Sequence, residues 1–317
     1  MNENFAQAKK LIEQSQTILL TTHARTDGDD LGTVLALAQE LIRQNKQVYC
    51  TIKGGVPKQL KFLPGSNLVN ELLSDAQFDL LIISGCSNKE RCEIEDIINL
   101  NVPVINIDHH IDNTSYGDVN IVDSSKSAVT ELTYDFFSYC AWPVSSSVAT
   151  CLLTGIFTDT GSFMHSNVEA STLDVASKLL LAGAHTNPIA KQTYHGKNIA
   201  TLKAWGKALE NSYFDSDSKV IYSILTEEDL KELNTESSAF EGLVETLNTV
   251  PEARFALLLK QDGEKVKGSL RSESYKGINV NQIAKLLGGG GHKLASGFSI
   301  MGKLERTEQG SWQITNP

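Results

Sequence analysis

A short acidic segment near the N-terminus, HARTDGDD, combines side chains that commonly bind metal ions. It contains His23, Asp27 and Asp29, and Gly28 between the two aspartates gives the backbone room to turn. Carboxylate oxygens and an imidazole nitrogen together suit Mn²⁺, Fe²⁺, Zn²⁺ or Mg²⁺. The segment therefore predicts a metal site. The alternative is an Asp- and Gly-rich turn that caps a helix at Asp30.

A second candidate segment is Asp108-His109-His110, which directly follows a strongly apolar run. Because neighbouring histidines cannot both point the same way, one can bind a metal while the other faces substrate or solvent. The alternative is a pair of histidines in an ordinary loop. Imidazole beside carboxylate repeats the ligand chemistry of the first segment, so the two segments are more specific together than apart.

A third segment, TGIFTDTGSF, surrounds Asp159 with small residues. Small side chains let the backbone approach a ligand closely, and the acidic group could then contribute to the same site. The alternative is that this segment is only the end of a helix, with Gly161 as its cap.

Near the C-terminus, four consecutive glycines precede His292 in the sequence GGGGHKLASGF. A glycine run at the end of a helix exposes backbone N–H groups, which can cradle an oxyanion. His292 and Arg271 could add charge-assisted hydrogen bonds to such a group. A flexible turn is the alternative, although four glycines followed by histidine are unusual for a turn.

The elements that must position these segments follow from the alternation of apolar runs with amphipathic stretches. Strands are predicted at 17–22, 47–52, 78–84 and 102–107, and helices at 31–45, 89–99, 127–140, 145–158, 171–183 and 187–210. Such alternation predicts an α/β fold in which a mostly parallel sheet is flanked by helices. Polar residues directly follow three of the strands, and loops at the carboxyl ends of parallel strands converge on one cleft.

The length of 317 residues suggests two domains, because a single hydrophobic core rarely grows beyond about 250–300 residues. The predicted parts are a first domain at 1–186, a helical linker at 187–214 and a smaller α/β domain at 215–317. In the second domain, KVIYSIL, ARFALLLK and KVKGSLR are predicted strands, and INVNQIAKLL is a predicted helix that runs into the glycines.

The overall charge and the cysteines narrow the class of protein. Lys and Arg number 28 and Asp and Glu 38, and the resulting net charge of −10 argues against a protein that coats long nucleic acid. Five cysteines without a CxxC pair indicate reduced thiols in a cytoplasmic protein. The sequence contains no apolar run near the roughly 20 residues that span a bilayer and no secretory signal pattern, so no membrane partner is expected.

In this order and spacing, the segments resemble those of the DHH phosphoesterase superfamily. HARTDGDDLG is similar to its first motif, DHH to its third and TGIFTDTGSF to its fourth, and SLRS to GGGGHKLASGF resembles the DHH-associated C-terminal domain. The resemblance covers nearly the whole chain. It is strongest to the NanoRNase-type group, whose members are bifunctional oligoribonucleases and phosphatases of 3′-phosphoadenosine 5′-phosphate (pAp).

The resemblance implies a metal site in a cleft between two domains. It would hold one or two ions, usually Mn²⁺, with Mg²⁺ or another divalent metal as alternatives. His23 and Asp27 would bind one metal. Asp29, His109 and Asp159 would bind the other.

The resemblance assigns the remaining candidates to catalysis, substrate binding and structure. His110 would contact the scissile phosphate, and Asp108 would orient a histidine. Ser127 and Glu131 are expected to be structural. The residues implied to hold substrate from the second domain are Arg271, Gly289, Gly290, Gly291 and His292.

One position departs from the family pattern. The family's second motif ends its strand with an aspartate that bridges both metals, whereas this chain has Gly85 in the sequence ISGCSN. Glycine supplies no ligand, and neither Asp79 nor Asp96 is close enough in the sequence to replace it. The first metal is therefore expected to be weakly held or absent, with activity reduced, altered in metal preference or lost.

The leading hypothesis is metal-dependent hydrolysis of short nucleotide substrates, by an oligoribonucleotide 3′/5′ exonuclease, a pAp phosphatase or both. The expected partners are short RNA or DNA oligonucleotides and small nucleotides such as pAp or dinucleotides. One alternative is a phosphodiesterase that acts on linear or cyclic dinucleotides in second-messenger turnover. Another is a catalytically degenerate nucleotide-binding protein. Dimers are common among such proteins, so a homodimer also stays open.

Overall fold

The computed structural model describes residues 1–70, 77–194, 198–233, 237–240, 242–307 and 312–315. The chain divides into two compact units, Met1–Gly196 and Lys197–Pro317, and each has its own sheet and hydrophobic core. The α/β class predicted from the sequence is confirmed. Within the described ranges, every helix is too short or too polar to cross a membrane.

A parallel sheet forms the centre of the first unit. Its described strands are β1 (Thr17–Thr22), β2 (Gln47–Cys50), β3 (Leu80–Ser84), β4 (Val104–Asp108) and β5 (Val119–Val122). They lie in the order β2-β1-β3-β4-β5. Every residue of β3 and β4 is buried, as their nearly continuous apolar runs predict for strands covered on both faces. Because β1, β3 and β4 are neighbours, the loops at their carboxyl ends start side by side.

Helices cover this sheet, and two of them approach each other closely. The helices described in the first unit are α1 (Asn2–Gln14), α2 (Gly28–Arg43), α3 (Glu95–Ile98), α4 (Val129–Cys140), α5 (Ser146–Asp159), α6 (Ala170–Leu181) and α7 (Thr186–Tyr194). On α2, a Cβ at Gly28 would lie 2.7 Å from Thr158 Oγ1, and a Cβ at Gly32 would lie 2.5 Å from the Cys151 carbonyl oxygen. Glycine at these positions therefore lets the first turns of α2 pack closely against α5.

The second unit is built on a mixed sheet. Its described strands are β6 (Tyr213–Asp215), β7 (Val220–Leu225), β8 (Phe255–Asp262), β9 (Lys265–Arg271), β10 (Gly290–Gly291) and β11 (Ala295–Met301), in the order β10-β11-β9-β8-β7-β6. The β7–β8 pair is parallel and the other pairs are antiparallel. Strands β12 (Lys303–Arg306) and β13 (Trp312–Thr315) pair antiparallel in a separate two-stranded sheet. The helices are α8 (Ile199–Glu210), α9 (Glu227–Glu232), α10 (Leu243–Leu247) and α11 (Val280–Leu286).

The stretch 187–210, predicted as one helix within a linker, forms two helices in different units. Helix α7 packs in the first unit, where Ile189 joins the core. Helix α8 belongs to the second unit, where Ala204 and Ala208 are fully buried. There, Trp205 Nε1 also donates a hydrogen bond to the Ala239 carbonyl oxygen. Helix α8 is therefore part of a domain core, and the predicted linker boundaries do not match the two compact units.

Candidate active site

The candidate residues of the first unit meet at the carboxyl edge of its sheet. His23 follows β1, Asp108 ends β4, and Asp159 is the last residue of α5. Two groups of side chains each bring three metal-ligand atoms within 4.8 Å of one another: a first triad of His23, Asp27 and Asp30, and a second triad of Asp29, His109 and Asp159. All five predicted metal ligands therefore lie in these triads, and Asp30 is a sixth member that the sequence did not predict.

In the first triad, hydrogen bonds at both ring nitrogens hold His23 in place. Nδ1 lies 2.7 Å from the Ala24 carbonyl oxygen, and Nε2 lies 2.8 Å from Asp30 Oδ2. Burial alone would lower the pKa of His23, but the hydrogen bond to Asp30 and the nearby negative charges raise this pKa to about 9. The negative charges around His23 therefore favour its protonated, positively charged form.

Asp27 also starts helix α2. Its Oδ1 accepts hydrogen bonds from the backbone N–H groups of Asp29 at 3.0 Å and Asp30 at 3.2 Å, so Asp27 is the N-cap. The alternative of a helix capped at Asp30 is wrong, because Asp30 lies within the first turn and is only 3% exposed. Capping by Asp27 therefore fixes the turn that carries the carboxylates of Asp27, Asp29 and Asp30.

In the second triad, His109 is oriented by the backbone. Its Nδ1 lies 3.1 Å from the Lys126 carbonyl oxygen, which leaves Nε2 directed at Asp159 Oδ2, 3.3 Å away. Asp29 is only 2% exposed. Burial and the charge of Asp30 raise the pKa of Asp29 to about 6. Imidazole and closely spaced carboxylates fit a divalent cation, whose charge would offset the repulsion among the acidic groups.

The Asp29 carboxylate is anchored at the N-terminus of α4. Its Oδ2 accepts a hydrogen bond from the Val129 N–H at 2.6 Å, and Oδ1 accepts from the Thr130 N–H at 2.8 Å and Thr130 Oγ1 at 2.6 Å. Helix α4 has no side-chain cap at its own N-cap residue, so Asp29 fills that role from another helix. Gly155 leaves room for this contact, since a Cβ there would lie 2.6 Å from Asp29 Oδ1.

The buried Asp108 carboxylate organises the DHH segment. Its Oδ1 accepts hydrogen bonds from the His109 N–H at 2.8 Å, the His110 N–H at 3.2 Å and His110 Nδ1 at 2.6 Å. Burial would raise the pKa of Asp108, but the hydrogen bonds from His110 and neighbouring groups lower it. The His109 and His110 rings lie at 82° to each other. Asp108 therefore orients His110, and the two histidines point in different directions.

Gly85, which follows β3, faces Asp30. A Cβ at residue 85 would overlap the Asp30 carboxylate, and Ser84 Oγ donates a hydrogen bond of 3.0 Å to Asp30 Oδ1. A carboxylate therefore does lie beside the end of β3, although helix α2 supplies it. The sequence predicts only two ligand residues for the first metal, and the geometry adds Asp30 as a third candidate in that triad.

Sequence reasoning also missed Arg91, which lies near the DHH segment. Its Nη1 lies 3.2 Å from Ser87 Oγ, and its carbonyl oxygen accepts a 3.0 Å hydrogen bond from the Ala24 N–H. Burial lowers the pKa of His110, and the positive charge of Arg91 also acts to lower it. The hydrogen bond and the charge of Asp108 outweigh both effects, so the pKa of His110 is raised. Its position in NKERC carries no spacing signal that would have identified it.

In the second unit, the glycine run is part of the sheet. Gly290 and Gly291 form β10 and pair with the start of β11. The N–H groups of Gly288, Gly289 and His292 donate hydrogen bonds of 3.1, 2.8 and 2.8 Å to backbone carbonyl oxygens. These three N–H groups thus donate to acceptors within the chain. A site that binds an anion at the glycine run would have to use donors other than these three.

Arg271 lies at the same end of this sheet. It ends β9 and pairs with Ala295 of β11, which places it beside the turn at 292–295. Its Nε donates a 2.8 Å hydrogen bond to Glu245 Oε1, and Nη1 donates a 2.9 Å bond to the Leu270 carbonyl oxygen. The second unit therefore groups Arg271 with His292 and the glycines, and their role in substrate binding stays a prediction.

Glu131 has the structural surroundings that its expected role requires. It is fully buried, and its Oε2 accepts hydrogen bonds from Ser127 Oγ at 2.7 Å and Thr172 Oγ1 at 3.1 Å. Its Oε1 accepts from Lys126 Nζ and Ser171 Oγ, both at 3.1 Å. The network joins the start of α4 to the start of α6.

Replacing Glu131 by glutamine should lower the free energy of unfolding at neutral pH by about 2–3 kcal/mol, because a buried charged acceptor is lost. Burial would raise the pKa of Glu131, but its hydrogen bonds and Lys126 lower it below its ordinary value of 4.5. The contribution is therefore complete above about pH 4.5 and is lost as the pH falls further. Urea unfolding of both proteins from pH 7 to pH 3 should show their difference shrinking; a constant difference would contradict this account.

Comparison with known proteins identifies the family. The DHH family N-terminal domain matches residues 17–156, and the DHHA1 domain matches residues 217–309. Two similar proteins are described as bifunctional oligoribonuclease and PAP phosphatase NrnA. That of Mycoplasma pneumoniae is 31% identical over 95% of this chain and 93% of its own. That of Thermus thermophilus is 30% identical over 90% and 84%.

A solved structure is also similar over most of the chain. It is an exopolyphosphatase-related protein from Bacteroides fragilis, with a TM-score of 0.86 and 26% identity, and the match covers 94% of this chain and 91% of that one. The domain matches, the identity over nearly full length and the ligand triads at the sheet edge all agree. The chain therefore belongs to the DHH family, and a DHHA1 domain follows its N-terminal domain.

Proposed function

We propose that this protein is a metal-dependent phosphoesterase that hydrolyses short oligoribonucleotides and pAp. The observation that carries the proposal is the pair of His/Asp triads at the carboxyl edge of the parallel sheet. The substrate class is supported by two relatives with that named activity, each matched over at least nine tenths of this chain.

The residues of the first unit would have two roles, which are to bind metal and to contact the phosphate. Divalent cations, with Mn²⁺ preferred, would be held by the two triads, where they would activate water and neutralise charge on the phosphate. Asp29 and His109 are held rigidly by α4 and by the Lys126 carbonyl oxygen, so the ligand positions are fixed before substrate arrives. His110, turned by Asp108, would contact the phosphoryl oxygens on which charge develops.

The test is hydrolysis by the purified protein with Mn²⁺, using pAp, a 5′-labelled RNA dinucleotide and linear di-AMP as separate substrates. We expect turnover of pAp and the RNA dinucleotide. Strong preference for linear di-AMP would instead support the second-messenger phosphodiesterase. Nucleotide binding by calorimetry without turnover, in Mn²⁺, Mg²⁺ and Co²⁺, would contradict the proposal and favour a degenerate binding protein.

In the second unit, Arg271, His292 and the glycines of β10 would hold the substrate, and Gly290 offers a clean test of this part. A Cβ at Gly290 would meet nothing within 4 Å, whereas a Cβ at Gly289 would overlap the Gly297 carbonyl oxygen. Gly290→Ala should therefore change stability by less than about 0.5 kcal/mol. If substrate approaches this backbone, the same variant should raise KM for pAp about tenfold.

Gly289→Ala is the matched variant, and overpacking should lower its stability by about 1–3 kcal/mol. Thermal unfolding and pAp kinetics of both variants separate the two effects. An unchanged KM in Gly290→Ala would remove this glycine from the substrate-binding set.

A further inference from the structure

We propose that Asp30 supplies the metal-binding carboxylate that the family pattern places directly after β3, and that Gly85 is glycine because Asp30 fills its space. The inference rests on the proposed metal-dependent function. The sequence alone leads one to expect that the first metal is weakly held or absent. With Asp30 as a ligand, the first metal site instead has its carboxylate from a different position in the chain.

The geometry puts the Asp30 carboxylate where a side chain of residue 85 would begin. The three atoms nearest to a Cβ at Gly85 are Oδ1, Cγ and Oδ2 of Asp30, and all three would overlap it. Ser84, the last residue of β3, fixes this position by donating a hydrogen bond to Oδ1. Two residues separated by 54 positions, Ser84 and Asp30, thus place a carboxylate at the strand end.

The chemistry of Asp30 suits a metal ligand. Its carboxylate lies with the His23 imidazole and the Asp27 carboxylate in a group whose ligand atoms are within 4.8 Å of one another. A buried carboxylate in such a group is costly without a cation, and it can serve as a metal ligand when a cation is bound.

The backbone at position 85 is compatible with aspartate in place of glycine. Its φ of 61° lies in the left-handed region, which glycine adopts freely and aspartate more readily than most other residues. A carboxylate at position 85 is therefore prevented chiefly by the presence of Asp30. Removing the Asp30 side chain would open the space that the family's usual aspartate needs.

Four variants test the inference: Asp30→Ala, Gly85→Asp, the double variant Asp30→Ala/Gly85→Asp, and Asp174→Ala as an exposed control on α6. Mn²⁺ affinity and stoichiometry are measured by calorimetry and by metal analysis after gel filtration, with circular dichroism as the check on folding. Asp30→Ala should fold and bind the first Mn²⁺ at least about a hundred-fold more weakly. Gly85→Asp should lose stability, because two carboxylates would share one space.

The double variant is decisive, because it should recover Mn²⁺ affinity to within about tenfold of the unaltered protein. Parental Mn²⁺ binding by Asp30→Ala would overturn the inference, as would a double variant that folds but binds no better than Asp30→Ala. Stronger Mn²⁺ binding by Gly85→Asp alone would also overturn it, since the native site would then be the deficient one. Failure of the unaltered protein to bind Mn²⁺ would instead contradict the proposed function itself.

Discussion

Replacing Asp159 by asparagine is expected to lower kcat for pAp and for an RNA dinucleotide at least about a thousand-fold. Asp159 ends α5 and lies 3.3 Å from His109 Nε2 in the second triad. Asparagine keeps the shape and one oxygen but removes the charge that balances a divalent cation. Metal ions contribute several kcal/mol to such displacements, and about 1.4 kcal/mol corresponds to a factor of ten, which gives the expected loss.

The same substitution should leave the fold intact. The Asp159 side chain is 27% exposed, and removing one of several adjacent carboxylates reduces the repulsion among them. The unfolding midpoint in EDTA should therefore not fall, whereas the rise that Mn²⁺ produces in the unaltered protein should be smaller. Asp174→Asn, an exposed aspartate paired with Lys178, is the matched control and should keep full activity. Parental kcat in Asp159→Asn would exclude Asp159 from the metal site.

Replacing Asp29 by alanine should cost both activity and stability. The variant removes a candidate metal ligand of the second triad, so a loss of kcat as large as that of Asp159→Asn is expected. It also leaves the buried N–H groups of Val129 and Thr130 without their acceptor at the start of α4. Loss of a cap and of buried hydrogen bonds should lower the free energy of unfolding by about 3 kcal/mol.

The measurement that separates these effects is urea unfolding in EDTA, where metal binding makes no contribution. Asp29→Ala should unfold at a clearly lower urea concentration than Asp159→Asn. Asp29→Asn keeps an acceptor oxygen for α4 and should recover part of the stability without recovering activity. Equal unfolding midpoints for Asp29→Ala and the unaltered protein would show that Asp29 does not hold α4.

Much of the first unit is predictable from the sequence because its signals are local. Buried parallel strands have nearly continuous apolar runs. The predicted carboxyl ends of the strands that finish at Thr22, Ser84 and Asp108 therefore differ from the observed carboxyl ends by at most one residue. Residues that directly follow such strands must lie at one sheet edge. The amino-acid sequence alone is therefore enough to assign His23 and the DHH segment to the same site.

Other features depend on contacts between distant parts of the chain. In the sequence, Asp30 resembles a helix-capping residue in an acidic turn, and only its contact with Ser84 and Gly85 shows its place. The glycine run looks like a flexible turn or an anion loop, whereas pairing with β11 turns two of its residues into a strand. Helix α8 has ordinary helical periodicity, which does not reveal which core it joins. A sequence pattern identifies an element and its apolar face, but not the partner of that face.

The overlap at Gly85 has a consequence for how such a site can evolve. A chain with acidic side chains at both positions would crowd them into one space, and a chain with neither would lack a carboxylate beside β3. With Asp30 as the carboxylate of this site, neither single replacement is expected to be neutral. The two positions are then expected to be epistatic and to change together or through a weakened intermediate. A motif search that demands an acid immediately after β3 would class such proteins as inactive, whereas one that scores the two positions jointly would retain them.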